Sequence, residues 1–83
     1  MLDPLQEEPV TVGRSHGCGL SLTEPNASKE HLQIEWKDGV WVLTDLDSSF
    51  GTRVNGKPVQ SAILAPLDRI AIGDTVIIFE NDA

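Results

Sequence analysis

The chain has 83 residues, with six Lys plus Arg against thirteen Asp plus Glu and a formal net charge of -7. That length gives one small domain over 1–83, its 40% hydrophobic content argues against wholesale disorder, and its acidic balance argues against a general nucleic-acid binder, which needs a basic face. The single Cys18 cannot close an internal disulfide, which favours a reducing compartment: the cytoplasm, or the nucleus in a eukaryote.

Residues 1–8 read as a partly ordered lead-in. Gln6-Glu7-Glu8 is acidic where a secretory signal would be basic. Val10-Thr11-Val12 is a short β-branched run closed by Gly13, and Leu20-Ser21-Leu22 alternates before the turn residues Pro25-Asn26. From His31 to Trp36 the pattern alternates, with Leu32, Ile34 and Trp36 on one face and His31, Gln33 and Glu35 on the other. Asp38-Gly39 follows, the strongest short hairpin signal, and 40–46 returns as a strand. Asn55-Gly56 marks a second hairpin, between Thr52-Arg53-Val54 and Lys57-Pro58-Val59. Gly73-Asp74 marks a third, between 68–72 and 75–79. No window shows capped helical periodicity. No apolar run approaches the roughly 20 residues that span a bilayer, so no membrane partner is expected. Many short strands with evenly spaced turns predict an all-β sandwich or barrel.

Three segments stand out because they gather a guanidinium, hydroxyls and an ammonium without an obvious catalytic pair. They are Val12-Gly13-Arg14-Ser15, Ser28-Lys29-Glu30-His31 and Ser49-Phe50-Gly51-Thr52 with Val54-Asn55-Gly56. An arginine offers a planar fork of donors to a phosphate, and hydroxyls add directional donors without charge. The bland readings are a surface Arg14, a turn-capping Ser28, a solvated Lys29 and a Ser49 that closes the turn from Asp45. Enzyme readings are weaker. Asp45, Asp47 and Asp68 sit where Asp bonds locally. Two histidines and one cysteine make no convincing metal site, and no Gly-x-x-x-x-Gly-Lys loop is present.

In this order and spacing, the three segments, with Asp68-Arg69-Ile70-Ala71-Ile72-Gly73-Asp74, resemble the forkhead-associated (FHA) family over residues 9–80. The resemblance implies a β-sandwich of about nine or ten short strands. Loops at one end of that sandwich bind a phosphothreonine peptide, with no cofactor, no metal and no catalysis. It implies that Arg14 contacts the phosphate, that Ser28 and Lys29 donate to it, and that Ser49 lies beside the phosphothreonine. Thr52 and Asn55 shape the same loop and, with Phe50, count among the implied peptide-binding positions; Gly13 and Gly51 support the loop, and His31 pins it from inside. Phe50 is a departure: most members carry there an asparagine that bonds the ligand backbone, and Phe cannot make that bond. The loop Thr23-Glu24-Pro25-Asn26-Ala27 holds one Glu and no Arg, so no strong preference for acidic ligand residues is expected. The partner implied is a phosphothreonine-containing protein or a phosphosite elsewhere in the same full-length protein.

A second departure is at the start. Leu5-Gln6-Glu7-Glu8-Pro9 resembles only the tail of the family's second strand, so the first strand, which lies beside the last, is expected to be missing ahead of Val10. The apolar segment from Thr75 to Phe79 is then an open edge, and open edges pair. A homodimer through that edge is expected. The alternative to phosphopeptide recognition is an oligomerising sandwich with weak or no phosphopeptide binding.

Overall fold

The computed structural model describes residues 9–80. The expected lead-in over 1–8 lies outside them. Nine strands follow one another, with no helix among the described residues: β1 (Val10–Gly13), β2 (Leu20–Ser21), β3 (Leu32–Lys37), β4 (Val40–Asp45), β5 (Thr52–Val54), β6 (Lys57–Val59), β7 (Ser61–Leu64), β8 (Arg69–Ile72) and β9 (Thr75–Ile78). They form a five-stranded sheet in the order β2-β1-β3-β4-β7 and a four-stranded sheet in the order β6-β5-β8-β9.

Turn chemistry sets the register. Asp38 and Gly39 take φ of 52° and 84°, which lets a two-residue loop join Lys37 to its partner Val40. Asn55 and Gly56 do the same at 52° and 85°, pairing Val54 with Lys57. Gly73-Asp74 closes β8 onto β9. Pro58 falls in β6, an edge strand, where its missing N–H costs no ladder bond.

The two sheets bury Val12, Leu32, Ile34, Trp41, Leu43, Val54, Leu64, Ile70, Ile72 and Phe79 between them. Leu32, Leu43, Ile70 and Ile72 are at most 1% exposed, and burying each contributes about 1.5–3 kcal/mol. Trp36 shares the inward side of β3, but it lies beside the hairpin turn and stays 37% exposed. It meets Trp41 edge-on at 5.2 Å.

Towards one end of the sandwich the inward positions change character. Trp41 and Leu43 on β4 give way to Asp45, and Val54 on β5 to Thr52, all five buried. His31 is fully buried beside them. Alternation groups His31 with Gln33 and Glu35, whereas the family resemblance implies a histidine that pins the loop from inside. His31 precedes β3 and turns under the adjoining loops, where polar partners are available. The core is therefore apolar in its body and polar beneath one rim.

Candidate functional site

That rim is where β1 ends, β3 begins, β4 ends and β5 begins, as the pairings Val12 with Leu32 and Leu32 with Asp45 require. Three loops meet there: 14–19, 22–31 and 46–51. Gly13 makes the first approach possible. A Cβ on it would lie 2.8 Å from the Ser28 carbonyl oxygen. In its absence Arg14 N donates to Ser28 O at 3.0 Å and Ser15 N to Lys29 O at 3.1 Å.

His31 fastens the second loop to the third. Its Nδ1 accepts from Ser28 N at 3.0 Å, and its Nε2 donates to Gly51 O at 2.8 Å. Both can form only in the neutral tautomer with hydrogen on Nε2. Gly51 has φ +80°, a conformation that strains residues bearing a Cβ. Ser49 N donates to Ser28 Oγ at 3.2 Å. That hydroxyl accepts within the protein and keeps its own proton for another acceptor.

Asp45 organises the third loop from below. Its Oδ1 accepts from Ser48 Oγ at 2.6 Å and Thr52 Oγ1 at 2.7 Å. Its Oδ2 accepts from Ser48 N at 3.0 Å. Ser48 Oγ accepts in turn from Gly51 N, so it is Ser48 rather than Ser49 that closes the Asp45 turn. Burial pushes the Asp45 carboxyl up, but the bonds from Ser48 and Thr52 hold it below its ordinary value.

These contacts leave a concavity of about 370 Å³ lined by Arg14, Ser28, Lys29 and Ser49 on its polar side. Pro25, Asn26, Ala27 and Phe50 complete it. Arg14 Nε donates to Ala27 O at 2.7 Å, which orients the guanidinium. Among the described residues neither Arg14 nor Lys29 has a carboxylate within ion-pair distance. A larger crevice of about 660 Å³ opens between β1 and β9, but Val10, Leu20, Leu32, Ile70, Ile77 and Phe79 make it apolar. It holds none of the candidate anion donors.

Thr52 and Asn55 do not line the concavity. Thr52 is 1% exposed and bound to Asp45. Asn55 donates to Asp68 at 2.9 Å and accepts from Arg69 N at 3.0 Å, so it holds the β5–β6 turn against β8. Sequence reasoning missed Ser48 and Glu24 as supports and undervalued Asp45; the Asp-x-x-Ser spacing of 45 to 48 was the available signal. Glu24 Oε1 accepts from Thr75 Oγ1 at 2.7 Å and Oε2 from Asn26 N at 3.1 Å. The Thr75 hydroxyl, then the Asn26 amide, hold its carboxyl below the ordinary value. The Glu24 charge is therefore directed into the β8–β9 turn and gives no ground for a ligand preference. His16 is an exposed loop residue, and the Cys18 thiol donates to Lys29 O at 3.1 Å.

Residues 10–73 match the family model of the FHA domain. The chain belongs to the FHA family. FhaA of Mycobacterium tuberculosis is 39% identical to this FHA domain over 74 residues, which are 89% of this chain and 14% of FhaA. The glycogen accumulation regulator GarA of Mycolicibacterium smegmatis is 33% identical over 76 residues, 90% of this chain and 48% of GarA. Among solved structures, the FhaA FHA domain complexed with the intracellular domain of Rv3910 is 39% identical with a TM-score of 0.83. That match covers 89% of this domain and 81% of the solved chain. A structure from work on phosphothreonine-dependent FHA domain interactions is 37% identical with a TM-score of 0.88, covering 95% and 82%.

Proposed function

We propose that this FHA domain acts as a single module that binds phosphothreonine on a partner protein, or on its own full-length protein, and so joins the two when the threonine is phosphorylated. The observation that carries this reading is the convergence of Arg14, Ser28, Lys29 and Ser49 on one concavity without a competing carboxylate among the described residues. A phosphate ester brings up to two negative charges and three acceptor oxygens. Arg14 and Lys29 supply the charge, Ser28 and Ser49 hydroxyls the direction, and Phe50 borders the peptide path. Thr52, Asn55, His31, Gly13 and Gly51 serve by holding the loops. Each charge-assisted bond contributes about 1.5–3 kcal/mol and each neutral one about 1. A few of each suit micromolar binding, about 8 kcal/mol.

The reading is one of binding, not catalysis. Both ring nitrogens of His31 are engaged and the residue is fully buried, so it is not available as a base for Ser28. Binding needs no metal or cofactor. A lone free thiol suits a reducing, cytoplasmic setting.

Titration of a phosphothreonine peptide library and its unphosphorylated counterpart tests the proposal. Phosphate-dependent binding that Arg14→Ala removes supports it; equal binding of both libraries, or none, refutes it.

A second reading rests on the β9 edge. Among the described residues β9 has a partner on one side only, and Val76 and Ile78 are 56% and 44% exposed. Pairing of two copies along β9 would cover them, with or without phosphopeptide binding. A monomer in a sizing experiment at high concentration would count against it.

A further inference from the structure

We infer that Phe50 is a specificity surface: it selects phosphothreonine segments that carry an apolar side chain close to the phosphorylated residue. This inference rests on the phosphate-reading role proposed above and deepens it. Phe50 is 67% exposed, and it lines the same concavity as Arg14, Ser28 and Lys29. Its ring is presented by a fastened backbone. On one side Ser49 N is tied to Ser28 Oγ. On the other, Gly51 N is tied to Ser48 Oγ and Gly51 O to His31. An aromatic side chain loses little rotamer freedom on binding and offers a large apolar area.

The lining of the concavity is consequently mixed. Arg14 and Lys29 bring charge to it, while Phe50 and the exposed Pro25 bring apolar surface. Neither of those two side chains carries a donor or acceptor, so only apolar contact satisfies them. A phosphate alone does not use them. An extended peptide advances about 3.3 Å per residue, so a side chain within roughly three positions of the phosphothreonine reaches across the loops. There an aliphatic or aromatic side chain gains contact area with the ring. A carboxylate gains no such contact from the ring. The resulting order places an apolar side chain above glycine.

The test is calorimetric titration of the native chain, Phe50→Ala and Phe50→Asn. The ligands are phosphothreonine peptides in a neutral background, with Leu, Gly or Asp placed in turn at each of the three positions on either side. Each peptide has an unphosphorylated control. At one position, Leu should bind the native chain about tenfold more tightly than Gly. In both variants that advantage should fall to within about twofold, while phosphorylated peptide still outbinds its control. Circular dichroism should be unchanged, because Phe50 is exposed. The inference is overturned if the native chain binds phosphopeptides with no preference at any position, or if either variant keeps the Leu preference. If the native chain binds no phosphopeptide at all, the proposed function fails and this inference fails with it. That pattern, silence with every ligand, is distinct from a flat preference. An Leu advantage that disappears on dilution of the protein would assign Phe50 to contact between copies instead, and also overturns the inference.

Discussion

His31 and Arg14 occupy the same rim, and the physics of substituting them is opposite. His31 is fully buried and bridges Ser28 N to Gly51 O. His31→Ala would leave two partly buried polar groups without partners, at up to about 1–3 kcal/mol each. We expect a clear fall in the urea midpoint together with weaker phosphopeptide binding, read by fluorescence of the two tryptophans and by titration. Arg14 is exposed and contributes one side-chain bond to Ala27. Arg14→Ala should leave the urea midpoint nearly unchanged. It should weaken phosphopeptide binding by at least about tenfold, the scale of one charge-assisted bond. Gly13 differs from both, since any side chain there meets the Ser28 and Lys29 backbone. Gly13→Ala should separate loop 14–19 from loop 22–31 and lower stability and affinity together.

At the scale of elements, the loops depend on carboxylates anchored from below. Asp45 holds the β4–β5 loop through Ser48 and Thr52, and Glu24 latches the 22–31 loop to Thr75 on β9. Both carboxyls have folded values below their unfolded ones. Each therefore contributes stability that is present above the ordinary carboxylate range and is lost as pH falls through the folded value. Urea midpoints measured from neutral pH into strong acid should fall steeply for the native chain and less steeply for Asp45→Asn, which has no charge there to lose. A parallel fall in the two proteins would contradict the assignment to Asp45. The strands were legible because Asp38-Gly39, Asn55-Gly56 and Gly73-Asp74 state their turns locally and the apolar alternation fixes the inward face. The concavity was legible only in part. Arg14, Ser28, Lys29, Ser49 and Phe50 lie on three loops, and the family resemblance, not periodicity, grouped them. The supporting role of Glu24 was not legible because its partner Thr75 is 51 residues away, beyond the reach of any local pattern. Alternation alone does not explain why His31 is buried, because its partners Ser28 and Gly51 belong to loops.

For the molecule as a whole, a net charge of -7 surrounds a small cationic concavity. The long-range field opposes an acidic ligand, while the short-range donors attract its phosphate. Salt screens the first more than the second. Association of a strongly acidic phosphopeptide should therefore quicken as ionic strength rises from about 0.01 to 0.15 M, measured by stopped-flow fluorescence. The β9 edge gives a second molecular property. If two copies pair there, Ile78→Lys should move a dimer to monomer in sizing experiments, because a charge on an edge strand opposes pairing. The central claim is that the three loops form one receptor for phosphate. Backbone amide shift mapping of the native chain with a phosphothreonine peptide tests it most directly. The account predicts the largest changes at Arg14, at Asn26 to Lys29 and at Ser48 to Gly51, with none from the unphosphorylated peptide. Changes concentrated along Thr75 to Ile78, or identical for both peptides, would contradict it.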